Sequence, residues 1–297
     1  MRILTHRTAR VRVASFFALA TLFPASSAVA QTEVDLPTGV RMSFESSGPE
    51  GGPALVLLHG YSDSGFSFSR IVPLLPPDRR IIVPDLRGHG RSSRPPAGYG
   101  IDDLATDVLA LLDALHVESA VVLGHSMGSL VAQRIAAVAP ERVEALVLVG
   151  SAPSIRGLAG LGEFRGAVDG LTDPVQEEFV RAFQESTIAR PVPAEFMDVI
   201  VAESLRLPAR VWRQLFDGML EAPDVAAGRI TARTLVLWGA EDGVFGRGQQ
   251  TRLLELIPGA RLHVYEGVGH APHWEDPEGF SADLVTFLRE SEPPASG

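Results

Sequence analysis

Six short, nearly unbroken apolar runs punctuate this chain: Ala54–Leu58, Arg80–Val83, Ala120–Leu123, Val143–Val149, Thr234–Trp238 and Arg261–Tyr265. A strand with one wet face alternates apolar and polar residues. A strand covered on both faces does not need to, and continuous runs of this kind belong to parallel sheets sandwiched between helices. Helical spacings lie between several of them. Ile101 to Leu115 places apolar residues at 101, 104, 108, 111, 112 and 115 and opens on Asp102 and Asp103, which suit a helix N-terminus. Leu130–Val138 and Phe280–Leu288 repeat the pattern. Strand and helix in alternation predict a doubly wound α/β domain with right-handed crossovers. The start of the domain differs: Val34–Leu36 and Val40–Glu45, joined through Pro37-Thr38-Gly39, read as a hairpin whose second strand alternates Val40, Met42 and Phe44 with polar residues.

The first thirty residues stand apart from that rhythm. Arg2, Arg7, Arg10 and Arg12 are followed by an apolar run from Val13 to Phe23 and by Ala28-Val29-Ala30 before Gln31. This order is that of a secretory signal peptide cleaved after Ala30, and the run is too short to span a bilayer as a helix. The expectation is an exported protein, periplasmic or secreted, with no stable membrane span once residues 1–30 are removed. An uncleaved N-terminal anchor is the competing reading. Removing the four leader arginines from 26 basic residues leaves 22 against 36 acidic ones, about −14, and no basic stripe with interleaved aromatics is present. Nucleic acid is therefore not an expected partner.

Composition also narrows the chemistry. The chain has no Cys, no Lys and no Asn, so all 26 residues counted as Lys or Arg are Arg. Thiolate nucleophiles, Schiff-base lysines, Ser-Lys dyads and N-glycosylation are excluded. Between about Ala152 and Gly228 there are helical patterns but no convincing strand, with Phe164, Phe179, Phe183, Phe196, Met197, Trp212, Phe216 and Met219 among the apolar residues. The preferred reading is a helical cap (152–228) inserted into a core formed by 31–151 and 229–290, with Phe164, Phe183 and Trp212 as candidate substrate contacts. Another helical layer explains the same residues. A polar tail, 291–297, follows.

Gly124-His125-Ser126-Met127-Gly128 comes directly after an apolar run and opens a helical pattern. That is a G-x-S-x-G nucleophile elbow in strand–turn–helix context, where small residues two before and two after the serine let strand and helix approach. A serine hydroxyl needs a base, and the base an orienting acid. Asp242 follows the run ending at Trp238, and His270 follows the run ending at Tyr265, so all three sit beyond carboxyl ends of strands in the order Ser, Asp, His. Glu241 and His273 are the neighbours that could replace Asp242 and His270. Leu57-Leu58-His59-Gly60-Tyr61 supplies a first loop, so the backbone N–H groups of Met127 and Tyr61 are the expected oxyanion donors. The remaining histidines show no metal-ligand spacing with carboxylates, and the chemistry calls for no metal and no cofactor.

His59-Gly60, Pro84-Asp85-Leu86-Arg87-Gly88-His89-Gly90-Arg91-Ser92, Gly124-His125-Ser126-Met127-Gly128, Gly239-Ala240-Glu241-Asp242 and Gly269-His270 together resemble the α/β-hydrolase superfamily. The similarity covers about Val34 to Glu290 and points to its branch of small esterases, lactonases, carbon–carbon bond hydrolases and cofactor-free haloperoxidases. The resemblance implies an eight-stranded, mostly parallel sheet, with Ser126 as nucleophile, His270 as base and Asp242 as orienter. It also implies that Asp85, Arg87 and His89 hold loops. Ser126 departs from the relatives that place Asp at that position. Ser129 stands where many have another Gly, and Gly243-Val244-Phe245 replaces a Pro-containing loop.

The resulting expectation is an exported serine hydrolase of carboxylesterase or lactonase type, acting on a small ester or lactone with an apolar part. Carbon–carbon bond hydrolysis, perhydrolase-type halogenation and a ligand receptor with a slow triad are the rivals. A panel of diketone and halogenation substrates against esters separates the first two, and tight binding without turnover marks the third.

Overall fold

A computed structural model describes residues 31–224 and 228–290, so the leader and the tail lie outside the described residues. Eight strands form one sheet: β1 (Gln31–Asp35), β2 (Arg41–Ser47), β3 (Ala54–Leu58), β4 (Arg80–Pro84), β5 (Ala120–His125), β6 (Val143–Val149), β7 (Arg233–Gly239) and β8 (Arg261–Tyr265). Their order across the sheet is β1-β2-β4-β3-β5-β6-β7-β8. β1 and β2 form the expected antiparallel hairpin, with Asp35 opposite Arg41, and β2 is antiparallel to β4. Every pairing from β4 onward is parallel.

Five of the six apolar runs have the burial they predict; the sixth, β8, does not, because it is the edge strand of the sheet, with Arg261 and His263 exposed and only Tyr265 buried. Val56 and Leu58 of β3, Val122 of β5, and Leu146 and Leu148 of β6 enter the core on one face of the sheet. Leu55 and Leu57, Val121 and Leu123, and Val147 and Val149 enter a second core on the other. The first face is covered by α1 (Ile101–Ala114), α2 (Met127–Val138) and α7 (Arg247–Leu256), the last of which the sequence reading did not single out. The second face is covered by Phe68, Ile71 and Leu75 and by α9 (Pro277–Arg289), which follows the single turn α8 (Pro272–Glu275).

Between β6 and β7 the described chain is helical and contains no strand: α3 (Leu161–Asp169), α4 (Glu177–Glu185), α5 (Ala194–Ser204) and α6 (Ala209–Glu221). Their apolar residues join the first core through Val180, Phe196, Ile200, Trp212 and Phe216. This is the inserted helical cap. It is tied to the core by Tyr61, whose hydroxyl donates to the Trp212 carbonyl at 2.6 Å. Burial pushes that phenol well above its ordinary pKa, so it stays a donor.

The segment after β4 is held by charge. Asp85 Oδ1 accepts from the Gly65 N–H and Oδ2 from the Arg91 N–H, at 2.8 and 2.9 Å. His89 Nδ1 donates to the Arg87 carbonyl at 3.0 Å. Arg87 forms a two-pronged pair with Asp107 of α1 and donates to the Gly98 carbonyl. The Asp107 side chain has no exposed surface and that of Arg87 is 7% exposed. Taking away one partner of such a pair strands the other charge in a low-dielectric setting. Asp107→Ala is therefore expected to destabilise the fold by about 3–5 kcal/mol, read by urea unfolding.

Candidate active site

The turn from β5 into α2 carries Ser126 at φ +51°, ψ −118°, one of few non-glycine residues here with positive φ. The strain follows from how closely backbone meets backbone. A Cβ on Gly124 would lie 2.2 Å from the Gly128 carbonyl oxygen, and one on Gly128 would lie 2.2 Å from that of Leu58. Neither position admits a side chain, which is the steric requirement the motif predicts. The Ser126 N–H donates to the Val149 carbonyl at 3.0 Å. Ser129 does more than crowd the elbow: its hydroxyl donates to the Ser126 carbonyl at 2.6 Å and meets Ser151 Oγ at 2.7 Å.

His270 and Asp242 are joined, with Nδ1 to Oδ2 at 2.9 Å and both side chains buried. The other carboxylate oxygen of Asp242 accepts the N–H groups of Val244 and Phe245 at 2.8 and 2.9 Å, so the loop replacing the Pro-containing one still orients the acid. Of the two alternatives, Glu241 points outward and is exposed. His273 is fully buried against Ser67 Oγ at 3.2 Å, and burial drives its pKa down to about 3. Geometry thus brings Asp242 and His270 together and leaves the neighbours out.

The His270 backbone is held from two sides. Its N–H donates to the Thr187 carbonyl, in the cap, at 2.8 Å, and its carbonyl accepts from His125 Nε2 at 3.2 Å. Glu275, which the sequence reading passed over, accepts from the Gly269, Ala189 and Arg190 N–H groups and so joins the histidine loop to the same cap segment.

Ser126 and His270 line one small cavity of about 50 Å³ with Gly60, Tyr61, Asp63, His125, Gln184 and Thr187 in its wall. Ser126, Tyr61 and Val244 also border a second cavity of about 240 Å³, walled by Leu158, Leu161, Phe164, Phe216, Met219 and Phe245. Ser126 therefore sits where a small chamber bordered by Asp63, His125 and His270 meets a larger apolar one. Phe164 borders the apolar cavity and Phe183 both. Trp212 does not line either: it is fully buried, with its ring edge-on to Tyr61 at 5.1 Å, because α6 turns that side chain into the core. A larger cavity of about 440 Å³, beside Arg134 and Asp224, holds none of the candidate residues.

Met127 is the first residue of α2, so its N–H has no acceptor within the helix. Beneath Tyr61, His59 Nε2 accepts from the Leu86 N–H at 3.0 Å, which leaves Nδ1 to donate to the Gly60 carbonyl at 2.9 Å. His59 thereby fixes the first loop.

Sequence reasoning missed Asp63 and Gln184. Gln184 Nε2 in α4 donates to Asp63 Oδ1 at 2.9 Å and lies within 3.2 Å of Ser62 Oγ and 3.0 Å of Ser204 Oγ. Nothing local in Ser62-Asp63-Ser64 announces a buried carboxyl, because its burial comes from a helix far along the chain. Desolvation raises Asp63 from its ordinary 3.8 to about 7, opposed by the Gln184 bond and by positive charge on His270.

A family model described as alpha/beta hydrolase fold matches residues 53–277, and the chain belongs to that family. It is 31% identical over 271 residues to a dihydrolipoyllysine-residue acetyltransferase component of an acetoin cleaving system from Pseudomonas putida, a match covering 83% of this chain and 66% of that protein. It is 29% identical to 2-hydroxymuconate semialdehyde hydrolase from Pseudomonas sp. (strain CF600), covering 86% of this chain and 93% of that one. Among solved structures it resembles an esterase from Rhodococcus sp. ECU1013, with a TM-score of 0.77 and 29% identity over 88% of this chain and 99% of that one.

The Asp63 shift has a thermodynamic consequence. Between about pH 4 and 7 the folded protein keeps a proton that the unfolded chain has released, so this residue's contribution to stability falls as pH rises through that window and is level above it. Asp63→Asn is expected to gain melting temperature relative to the parent from pH 4 to 7, with a constant difference above, measured by thermal unfolding at each pH.

Proposed function

We propose that this hydrolase is a serine enzyme cleaving a carboxylic ester or lactone through an acyl-enzyme on Ser126. The observation that carries the reading is the 2.9 Å bond from Asp242 to His270, whose ring borders the same cavity as the strained Ser126 elbow. Ser126 attacks the carbonyl carbon while His270 takes the hydroxyl proton, and Asp242 holds the imidazole in the tautomer that can accept it. The Met127 and Tyr61 N–H groups face the developing oxyanion, and one such donor is worth roughly 3–4 kcal/mol of transition-state stabilisation. The alcohol departs with the proton from His270, and water deprotonated by His270 releases the acid.

The apolar cavity takes the hydrophobic part of the substrate, among Phe164, Phe216 and Met219. Export through cleavage after Ala30 belongs to the same proposal. A second reading, hydrolysis of a carbon–carbon bond in a vinylogous diketone, draws support from the similarity to 2-hydroxymuconate semialdehyde hydrolase.

Hydrolysis of p-nitrophenyl esters of increasing acyl length tests the proposal. Turnover should vanish in Ser126→Ala and drop by about 10⁴ in Asp242→Asn. Equal turnover by Ser126→Ala would refute the serine mechanism, and activity confined to the diketone would favour the second reading. Phe216→Trp, which fills the apolar cavity, should move the preferred acyl length downward. N-terminal sequencing of exported protein should begin at Gln31.

A further inference from the structure

The wall shared by Ser126 and His270 contains a carboxyl besides that of Asp242 behind it, Asp63, for which the triad chemistry has no use. Its side chain is 3% exposed and Gln184 is equally enclosed, so the pair is not a solvated accident of the surface. One oxygen, Oδ1, is engaged by Gln184 at 2.9 Å. The other, Oδ2, lies 3.9 Å from His125 Nδ1.

The state of His125 is set by its other nitrogen. Nε2 donates to the His270 carbonyl, so Nδ1 carries a lone pair, and that atom is buried without a hydrogen-bond partner among the described residues. A protonated Asp63 presents an O–H toward this unsatisfied acceptor. An ionised one presents a lone pair to a lone pair, and its negative charge is then directed at the chamber. The arrangement therefore has two chemically distinct states, differing by one proton released to solvent.

The groups facing Asp63 are His125 from the end of β5, His270 from the loop after β8, and Gln184 from α4, behind which stands Ser204 of α5. His59 lies beneath Gly60, and His273 packs on the His125 ring at 4.5 Å. Burial holds His59, His125 and His273 below the ordinary histidine range, so they remain neutral where Asp63 changes state. His270 is left as the partner that its charge can influence.

We propose that Asp63 is a positioning residue for His270: its carboxylate, held by Gln184, favours the protonated imidazole that forms as His270 takes the serine proton, and full turnover requires Asp63 to have lost its own proton. The inference rests on the serine-hydrolase reading above. Asp242 orients the imidazole through a direct bond, whereas Asp63 adds charge through space and only above its own ionisation.

The test is the pH dependence of kcat and kcat/KM for p-nitrophenyl ester hydrolysis by the parent, Asp63→Asn and Gln184→Met. The parent should show a rise in kcat centred near pH 7. Asp63→Asn mimics the neutral carboxyl: at pH 8 its kcat should fall by about tenfold with little change in KM, a modest loss for one through-space charge, and the part of the rise near neutrality that Asp63 carries should be lost, so the profile changes shape. Gln184→Met removes a donor that favours the ionised form, so the rise should persist but move to higher pH.

Profiles of both variants with the parent's shape and midpoint, merely scaled down, would assign Asp63 and Gln184 a structural role and overturn the proposal. Asp63→Asn as active as the parent at pH 8 would overturn it too. If the parent itself shows no turnover that depends on Ser126, the failure lies in the hydrolase reading rather than in the role of Asp63. Because the two variants are expected to differ in profile, loss of folding in one leaves the other decisive.

Discussion

Everything in the site is referenced to a contact between backbones. The β5–α2 turn brings the Gly128 peptide against Gly124 and against the end of β3, with no room for a single methyl group. That approach forces Ser126 into dihedrals costing on the order of 1–3 kcal/mol, and it is sustained by the bonds from Ser126 to Val149 and from Ser129 to Ser126. Because the same contact sets where α2 begins, it sets the Met127 amide as well. It also brings that amide beside the loop containing Gly60 and Tyr61. The proposed nucleophile and the proposed oxyanion donors are thus one geometric decision.

The imidazole is positioned differently, by many weak holds from separate parts of the chain. Asp242 takes one ring nitrogen, the cap carbonyl of Thr187 takes the backbone N–H, and His125 donates to the backbone carbonyl. Glu275 then gathers the amides of Gly269, Ala189 and Arg190 onto one carboxylate. The cap is consequently part of what places His270, in addition to walling the apolar cavity.

The readability of this chain follows the range of the forces involved. Strands buried on both faces announce themselves in composition, so β3 to β7 were legible to within a residue or two, whereas β8 lies at the sheet edge with Arg261 and His263 exposed. Ser126, Asp242 and His270 were legible because each follows a strand end, where backbone direction alone puts it on one edge of the sheet. The cap was legible only as an absence of strands. Which of its aromatics meet the cavity depends on how each helix is rotated, and so Phe164 and Phe183 reach it while Trp212 turns into the core. Asp63, Gln184 and Glu275 escaped for a related reason. Their importance arises from partners more than eighty residues away, and nothing in their immediate neighbours records it.

Parallel strands cannot be joined by a tight turn; the chain must travel from the carboxyl edge of one to the amino edge of the next. β6 and β7 are such a pair, in register from Ala145 opposite Arg233 to Val149 opposite Leu237. The cap is therefore an enlargement of a journey the backbone had to make in any case. Since closure entropy grows only logarithmically with length, a longer or shorter detour costs little in chain closure itself. Strand pairing on either side would not feel the change. The walls of the apolar cavity can therefore change while Ser126 and Asp242 stay where the sheet puts them.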